Sequence, residues 1–408
     1  MKDAAPPAGA RTKHRAVRPD EMPRDFSVSL DALRQGGTDA FLSRRPEHAA
    51  SQDMEGFDPD YVNFVDYVVR ITHRIWEEKD VGHVYDTYSH DCVVWDDFGL
   101  TMGRDKVVEH TVAGLSAFPD MRILADEVIW AGTAATGLHS SHRARITGTN
   151  TGYSRFAPPT GRSVDIWSMA NCVARGGEIF EEHLVYDHAH LLTQLGLDPM
   201  ETARRLVREG AGPKLPRDFL AAEPARRAGQ NKPAARAVPE VGDDPSAFAR
   251  AALHMIWNRR SFAVMDRVYH PSVRVQASGG RVFDGVGPLR SYALSLVAAI
   301  PDAVHSVNDL YWMGNPEEGF LVAVRWSLRG SHRGWGRYGP PTGRALDLWG
   351  LTHWVIEGGR IAREWTMFNE FGVLMQIAEA EAAGAPTSGP LRTERGVEAH
   401  GGPAEGID

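Results

Sequence analysis

The residues best equipped for chemistry lie on two successive apolar strands, Ser163–Ala174 and Glu178–Asp187, joined at Gly176-Gly177. A Gly-Gly pair suits a two-residue hairpin turn, because the favoured turn needs positive φ at both positions. Closing the hairpin there sets Arg175 opposite Glu178, and side chains then alternate between faces. On that register one face carries Asp165, Trp167, Asn171, Glu182 and Tyr186. The other carries Ile166, Ser168, Cys172, Glu181, His183 and Asp187. The first face mixes a few polar groups with aromatic stacking surface, as a ligand-facing wall requires. Trp167, Asn171 and Tyr186 are therefore expected to contact substrate. A carboxylate beside Trp and Tyr on such a wall has its pKa lifted by desolvation, which suits acid/base work near neutrality.

The same face recurs downstream with Asp347, Trp349, His353 and Glu364, of which Trp349 and His353 are expected substrate contacts. Two readings stay open for Asp165 and Glu182. Either is an acid/base group, or both fill a structural role, accepting backbone or Arg hydrogen bonds; their recurrence favours the second. His139 and His142 sit three apart on a strand and so point to opposite faces, which argues against joint metal chelation. Arg143 and Arg325 match between the two regions and could either clamp an anion or pack across a sheet. Cys92 and Cys172 make no disulfide framework and read as buried apolar cysteines. There is no phosphate-cradling loop and no dinucleotide fingerprint, so neither cofactor nor metal is expected.

These residues belong to an internal repeat. Phe156–Asp187 and Tyr338–Asn369 are identical at 12 of 32 positions at a constant offset of 182. Trp76 and Trp257, and Tyr88 and Tyr269, match at 181, so one residue has been inserted before Gly285. The chain divides into a flexible arm (1–55), a first domain (56–207), a linker (208–242), a second domain (243–383) and a flexible tail (384–408). Within the first unit, Phe64, Val68, Ile71 and Ile75 predict an amphipathic helix over 61–78, with Phe248–Trp257 as its counterpart. Shorter helices follow near 82–88 and 105–118. Strands are predicted at 122–130, 136–147, 163–174 and 178–187. Helices followed by a curved antiparallel meander make an α+β cone.

The order PPTGR (Pro158–Arg162, Pro340–Arg344), D-x-W from Asp165, GG-x-I from Gly176, E-x-x-x-x-D from Glu182 and LLTQLG from Leu191 resembles the SnoaL-like polyketide (ester) cyclases. These belong to the nuclear-transport-factor-2-like superfamily. The resemblance implies two cone-shaped domains and cofactor-independent chemistry on a small hydrophobic carbonyl compound. In such an aldol-type cyclisation a carboxylate removes a proton α to a carbonyl while donors hold the enolate oxygen. The matching position for that carboxylate is Asp187. The second unit has Asn369 there, and an amide cannot take the proton. His183 lies four residues earlier, about 13 Å along the strand, so it forms no dyad with Asp187 and either assists through substrate or is structural. Because the fold also hosts lyases, isomerases, hydrolases and binding modules, a non-catalytic ligand-binding or structural tandem is the alternative. Pairing of single domains in the superfamily implies an intrachain pseudo-dimer, with further homo-oligomers open.

Composition sets the remaining bounds. The 408 residues are 42% hydrophobic and 24% charged with net charge −8, which allows globular cores and argues against a nucleic-acid partner. No apolar run reaches the roughly 18 residues of a membrane span. Met1–Arg24 has no apolar core, so no secretory signal is expected and the expected location is cytoplasmic.

Overall fold

The computed structural model describes residues 31–43, 51–213 and 237–384. Most of the expected arm, the central part of the linker and the tail beyond 384 lie outside the described residues. Unit one comprises α1 (Asp31–Leu42), α2 (Phe64–Trp76), α3 (Val84–Thr87), β1 (Tyr88–Asp96), β2 (Gly99–Met102), α4 (Arg104–Ala117), β3 (Arg122–Thr133), β4 (Gly137–Thr149), β5 (Ser163–Arg175), β6 (Glu178–Tyr186), α5 (His188–Gln194) and α6 (Pro199–Arg208). Unit two comprises α7 (Ser246–Leu253), α8 (Met265–Val268), β7 (Tyr269–Ala277), β8 (Arg281–Asp284), α9 (Val286–Ala299), β9 (Val304–Asn315), β10 (Gly319–Ser331), β11 (Ala345–Glu357), β12 (Arg360–Phe368) and α10 (Glu370–Ala382).

Each unit folds its helices onto one six-stranded sheet. The strand orders are β2-β1-β6-β5-β4-β3 and β8-β7-β12-β11-β10-β9. The long strands form the expected antiparallel meander. The first strand of each unit, which sequence periodicity did not distinguish, pairs parallel with the last, β1 with β6 and β7 with β12. Helix α2 forms where expected: Asn63 caps it by accepting from the Asp66 amide (2.8 Å), and Phe64, Val68, Ile71 and Ile75 are all buried. Part of the arm is ordered against this unit. Phe41 of α1 is buried, and the Thr38 hydroxyl donates to the Ala125 carbonyl (3.3 Å).

The hairpin turn forms at Gly176-Gly177, with φ of 57° and 82°. The expected pairs Arg175–Glu178 and Ala174–Ile179 follow it. One residue later the register shifts: Val173 pairs with Glu181 and Cys172 with Glu182, leaving Phe180 as a bulge. Unit two repeats the bulge at Ala362, between the pairs Ile356–Ile361 and Val355–Arg363. The shift separates residues that simple alternation places together. Ile166, Ser168, Ala170, Cys172, Glu182, Leu184 and Tyr186 share the concave face. Asp165, Trp167, Met169, Asn171, Glu181, His183 and Val185 occupy the opposite one.

The two outer faces meet each other. Met169 and Val185 of unit one pack with Leu351 and Met367 of unit two, flanked by Trp167 and Trp349. Polar contacts surround this apolar patch. Asn171 Nδ2 donates to Tyr311 Oη (2.5 Å), His139 Nδ1 lies 3.2 Å from Asp309, and Arg143 stacks over Trp365 at 3.6 Å. At one end α6 and α10 join through Arg204 and Glu381 (2.8 Å).

Candidate active site

Unit one is hollow. A cavity of about 520 Å³ opens between α2, α4 and the concave face of its sheet, within the range of small-molecule sites. Its walls are mostly apolar, with Phe64, Ile71, Trp76, Val94, Ile123 and Ile166 among them. The polar groups facing it include Tyr88, Asp96, His110, His142, Glu182 and Tyr186, with Arg155 at the mouth.

Glu182 lies at the centre of the sheet. Tyr88 donates to its Oε2 (3.0 Å), and the Cys172 thiol approaches Oε1 at 3.7 Å. Burial pushes its pKa up, against the lowering effect of the Tyr88 and Cys172 hydrogen bonds. Asp96 is on the neighbouring strand, two positions beyond the residue paired with Glu182. Its Oδ1 accepts from the Phe98 amide (2.8 Å), yet burial still lifts its pKa to about 6. The Asp96 charge adds to the rise at Glu182, and the Asp97 charge adds to the rise at Asp96. His142 faces the same space from β4. Burial, together with His353 and Arg143, lowers its pKa to about 4, so it is neutral near pH 7. Its Nε2 is buried and has no hydrogen-bond partner among the described residues. Burial also pushes the Tyr88, Tyr186 and Cys172 pKa values up, so all three keep their protons.

The mouth is lined by Tyr153, Ser154, Arg155 and Phe156, in the loop that leads into PPTGR. Asn150 pins it, accepting from the amide and hydroxyl of Thr160 (both 3.0 Å) and donating to Ala117 and Gly152 carbonyls. Arg205 of α6 holds the carbonyls of Arg155 and Phe156 (3.2 and 2.7 Å). Unit two supports the same wall. Phe371 packs edge-on to Phe98 and Phe156, at 6.1 and 5.7 Å. Asp97 accepts from both His188 Nδ1 (2.5 Å) and the Gly372 amide (3.1 Å).

Of the residues expected to act on or contact substrate, Glu182 and Tyr186 line the cavity. The others of that set lie elsewhere. Asp165 is exposed and paired with Arg145. Trp167, Asn171, Trp349 and His353 lie between the two sheets. His353, fully buried, bonds Glu127 (3.1 Å) and the Ser141 hydroxyl (2.7 Å). His183 is on that face too, 3.2 Å from Arg325 and edge-on to Trp349. Arg143 is likewise an interface group, bound to Asp126 and Glu127. The expected catalytic position, Asp187, is instead a buried helix cap. Its carboxylate accepts from the amides of Gly279 (2.7 Å), Gly280 (2.9 Å) and His190 (3.3 Å). Gly279 and Gly280 belong to the β7–β8 turn of unit two. This three-residue turn stands where unit one has only Asp97-Phe98, so the inserted residue of the repeat is located here. In unit two Asn369 turns back on its own sheet, accepting from the Trp349 amide (3.0 Å).

Asp96, His142 and Tyr88 were missed as site residues. The recurrence of Tyr88 as Tyr269 was the one available signal. In the structure, each Tyr bonds the Glu of its own last strand: Tyr269 donates to Glu364 at 2.8 Å. The interior of unit two is otherwise different. Trp354 replaces Cys172 and donates to Glu364 (2.9 Å), while Trp326 replaces Ala144 and donates to Thr352 (2.9 Å). Gly350, in place of Ser168, makes room: a Cβ there would come within 2.6 Å of Trp326. Ala277 replaces Asp96. The space that is open in unit one is therefore filled by indole rings in unit two. Among the described residues no group of three or more His, Cys, Asp or Glu could hold a metal ion, and no helix is long and apolar enough to cross a membrane.

Fold and site together define a tandem of nuclear-transport-factor-2-like α+β cones, one hollow and one filled. The sequence profile of SnoaL-like polyketide cyclases matches twice, at residues 66–195 and 247–377. The chain belongs to the SnoaL-like polyketide cyclase family. Solved structures similar to it include a SnoaL-like cyclase candidate from Jannaschia sp. CCS1, at 18% identity and TM-score 0.30, covering 36% of this chain and 97% of that one. Another is a polyketide cyclase candidate from Acidithiobacillus ferrooxidans, at 22% identity and TM-score 0.29, covering 32% of this chain and 92% of that one. A third is IdmH, a cyclase candidate from Streptomyces antibioticus, at 23% identity and TM-score 0.28, covering 31% of this chain and 94% of that one. Among curated proteins no relative matches.

Proposed function

We propose that unit one is a cofactor-independent enzyme acting on a small hydrophobic carbonyl compound, by aldol-type cyclisation or a related lyase, isomerase or hydrolase reaction. One observation carries this reading. Two carboxylates share the wall of an apolar cavity, both with pKa values lifted toward neutrality, whereas unit two has lost one of them and covers the other with Trp354. Asp96, with its pKa of about 6, is ionised at neutral pH and takes the proton α to the carbonyl. The enolate oxygen is held by hydrogen-bond donors, for which Tyr88, Tyr186 and a neutral His142 are available. Glu182, whose pKa burial raises, is placed on the same wall to return a proton to the product oxygen.

Unit two acts as a prop in this scheme, and the two units form an intrachain pseudo-dimer. The support is reciprocal: Asp187 reaches the β7–β8 turn, and Asp97 of the β1–β2 turn reaches α10. A second reading has its own support, because the Tyr–Glu pair recurs in the filled unit and so serves folding there. Turnover separates the two. Asp96→Asn and Glu182→Gln should each lower kcat by about 10²–10⁴-fold with the fold intact. Unchanged turnover in both variants leaves the pair a structural role only.

A further inference from the structure

Unit two carries, within its own chain, a carboxylate at the position that corresponds to the mouth of the unit one cavity. Arg337 donates to Glu370 Oε1 through Nε and Nη2 (3.2 and 2.7 Å), and Arg281 holds the second oxygen at 2.6 Å. Arg337 also lies over the Tyr292 and Tyr338 rings, at 4.7 and 5.5 Å. An arginine, a buried carboxylate and two aromatic rings thus pack together at the corresponding end of unit two.

Unit one keeps the arginine and loses its partner. Arg155 corresponds to Arg337 at the repeat offset, and Phe156 corresponds to Tyr338. The residue matching Glu370 is His188, whose Nδ1 is engaged by Asp97. Arg155 lies over the Phe98 ring at 4.2 Å, lines the cavity mouth and makes no ion pair among the described residues. Its backbone is already held by Arg205, so the guanidinium is presented from a fixed loop. The other charged or titratable groups near it are His110, Asp96 and the Lys106–Glu109 pair on α4. A guanidinium on an aromatic face, beside an apolar cavity, matches a carboxylate joined to an apolar body.

We propose that Arg155 receives an anionic group of the ligand, in the place that Glu370 takes in unit two, so that the substrate is an amphipathic carboxylate. Its apolar, carbonyl-bearing body enters the cavity and its carboxylate stays at the mouth. This rests on the cavity being the ligand site.

Two fluorescent probes of one skeleton test it on the full chain: anionic 1-anilinonaphthalene-8-sulfonate and neutral N-phenyl-1-naphthylamine. Arg155→Gln should weaken the sulfonate by about tenfold and leave the neutral probe within about twofold. Salt should weaken the sulfonate in the parent chain only. Arg155→Lys should restore part of the difference. Ala144→Trp, which places the unit two indole in unit one, should abolish binding of both probes. If Ala144→Trp blocks both probes but Arg155→Gln affects them equally or not at all, the anion assignment is overturned while the cavity stands. If Ala144→Trp blocks neither, or the parent chain binds neither, the cavity reading itself fails.

Discussion

Glu364 offers the most direct test of the filled unit. Its side chain is buried and bonded by two neutral donors, Tyr269 and Trp354, and burial lifts its pKa from an ordinary 4.5 to about 7. Because the folded value lies above the unfolded one, the folded state keeps a proton that the unfolded state releases. The stabilisation is full below the unfolded pKa and is lost as pH rises through about 7. The gap between the two values corresponds to about 3 kcal/mol. Glu364→Gln should keep an acceptor for both donors and cannot ionise. Relative to the parent, this variant should gain about 3 kcal/mol between about pH 4 and pH 8. Other lifted carboxylates, among them Asp96 and Asp347, titrate in both chains and cancel in the comparison. Urea unfolding at a series of pH values supplies the free energies. A stability difference that is flat with pH, or that moves in favour of the parent as pH rises, would refute the argument that burial raises the Glu364 pKa in the folded chain.

Three further outcomes follow from the same contacts. Asp187→Asn should retain turnover and lose about 1–3 kcal/mol, because an amide oxygen cannot serve the Gly279 and Gly280 amides as a carboxylate does; melting curves beside activity check both halves. Phe371→Ala should loosen the wall formed by Phe98 and Phe156, raising KM more than it lowers kcat in steady-state kinetics, although it lies in unit two. Fragments 50–210 and 240–385, mixed, should associate in light scattering, since the patch around Met169 and Met367 is apolar and rimmed by paired charges; fragments that stay separate count against the pseudo-dimer.

Much of this organisation is written in local sequence. The duplication follows from identity at a fixed offset. Helix α2 follows from apolar spacing at one turn, and the hairpin from two glycines that supply positive φ. The family follows from ordered motifs, of which PPTGR, D-x-W and GG-x-I recur in both units. Even Glu182 and Tyr186 were legible as cavity residues, because both sit on the one strand whose alternation was assigned correctly.

Which face of the sheet is hollow was not legible. Alternation has a period of two but no sign: the helices decide which side becomes the interior, and they are distant in sequence. The bulges at Phe180 and Ala362 have no local marker, yet each transfers one strand's residues to the other face relative to its neighbour. That is why Trp167, Asn171 and His353 emerge between the units rather than around a ligand. Asp187 shows the same limit. Its strand-end position agrees with a catalytic role, but its carboxylate is taken by two amides from a turn some ninety residues on, in the other unit. Asp96 became visible only when parallel pairing brought β1 beside β6. Sequence determined the two cones and their order; tertiary packing decided which one stays open, because an indole at the positions of Ala144 and Cys172 fills the space that a methyl and a thiol leave.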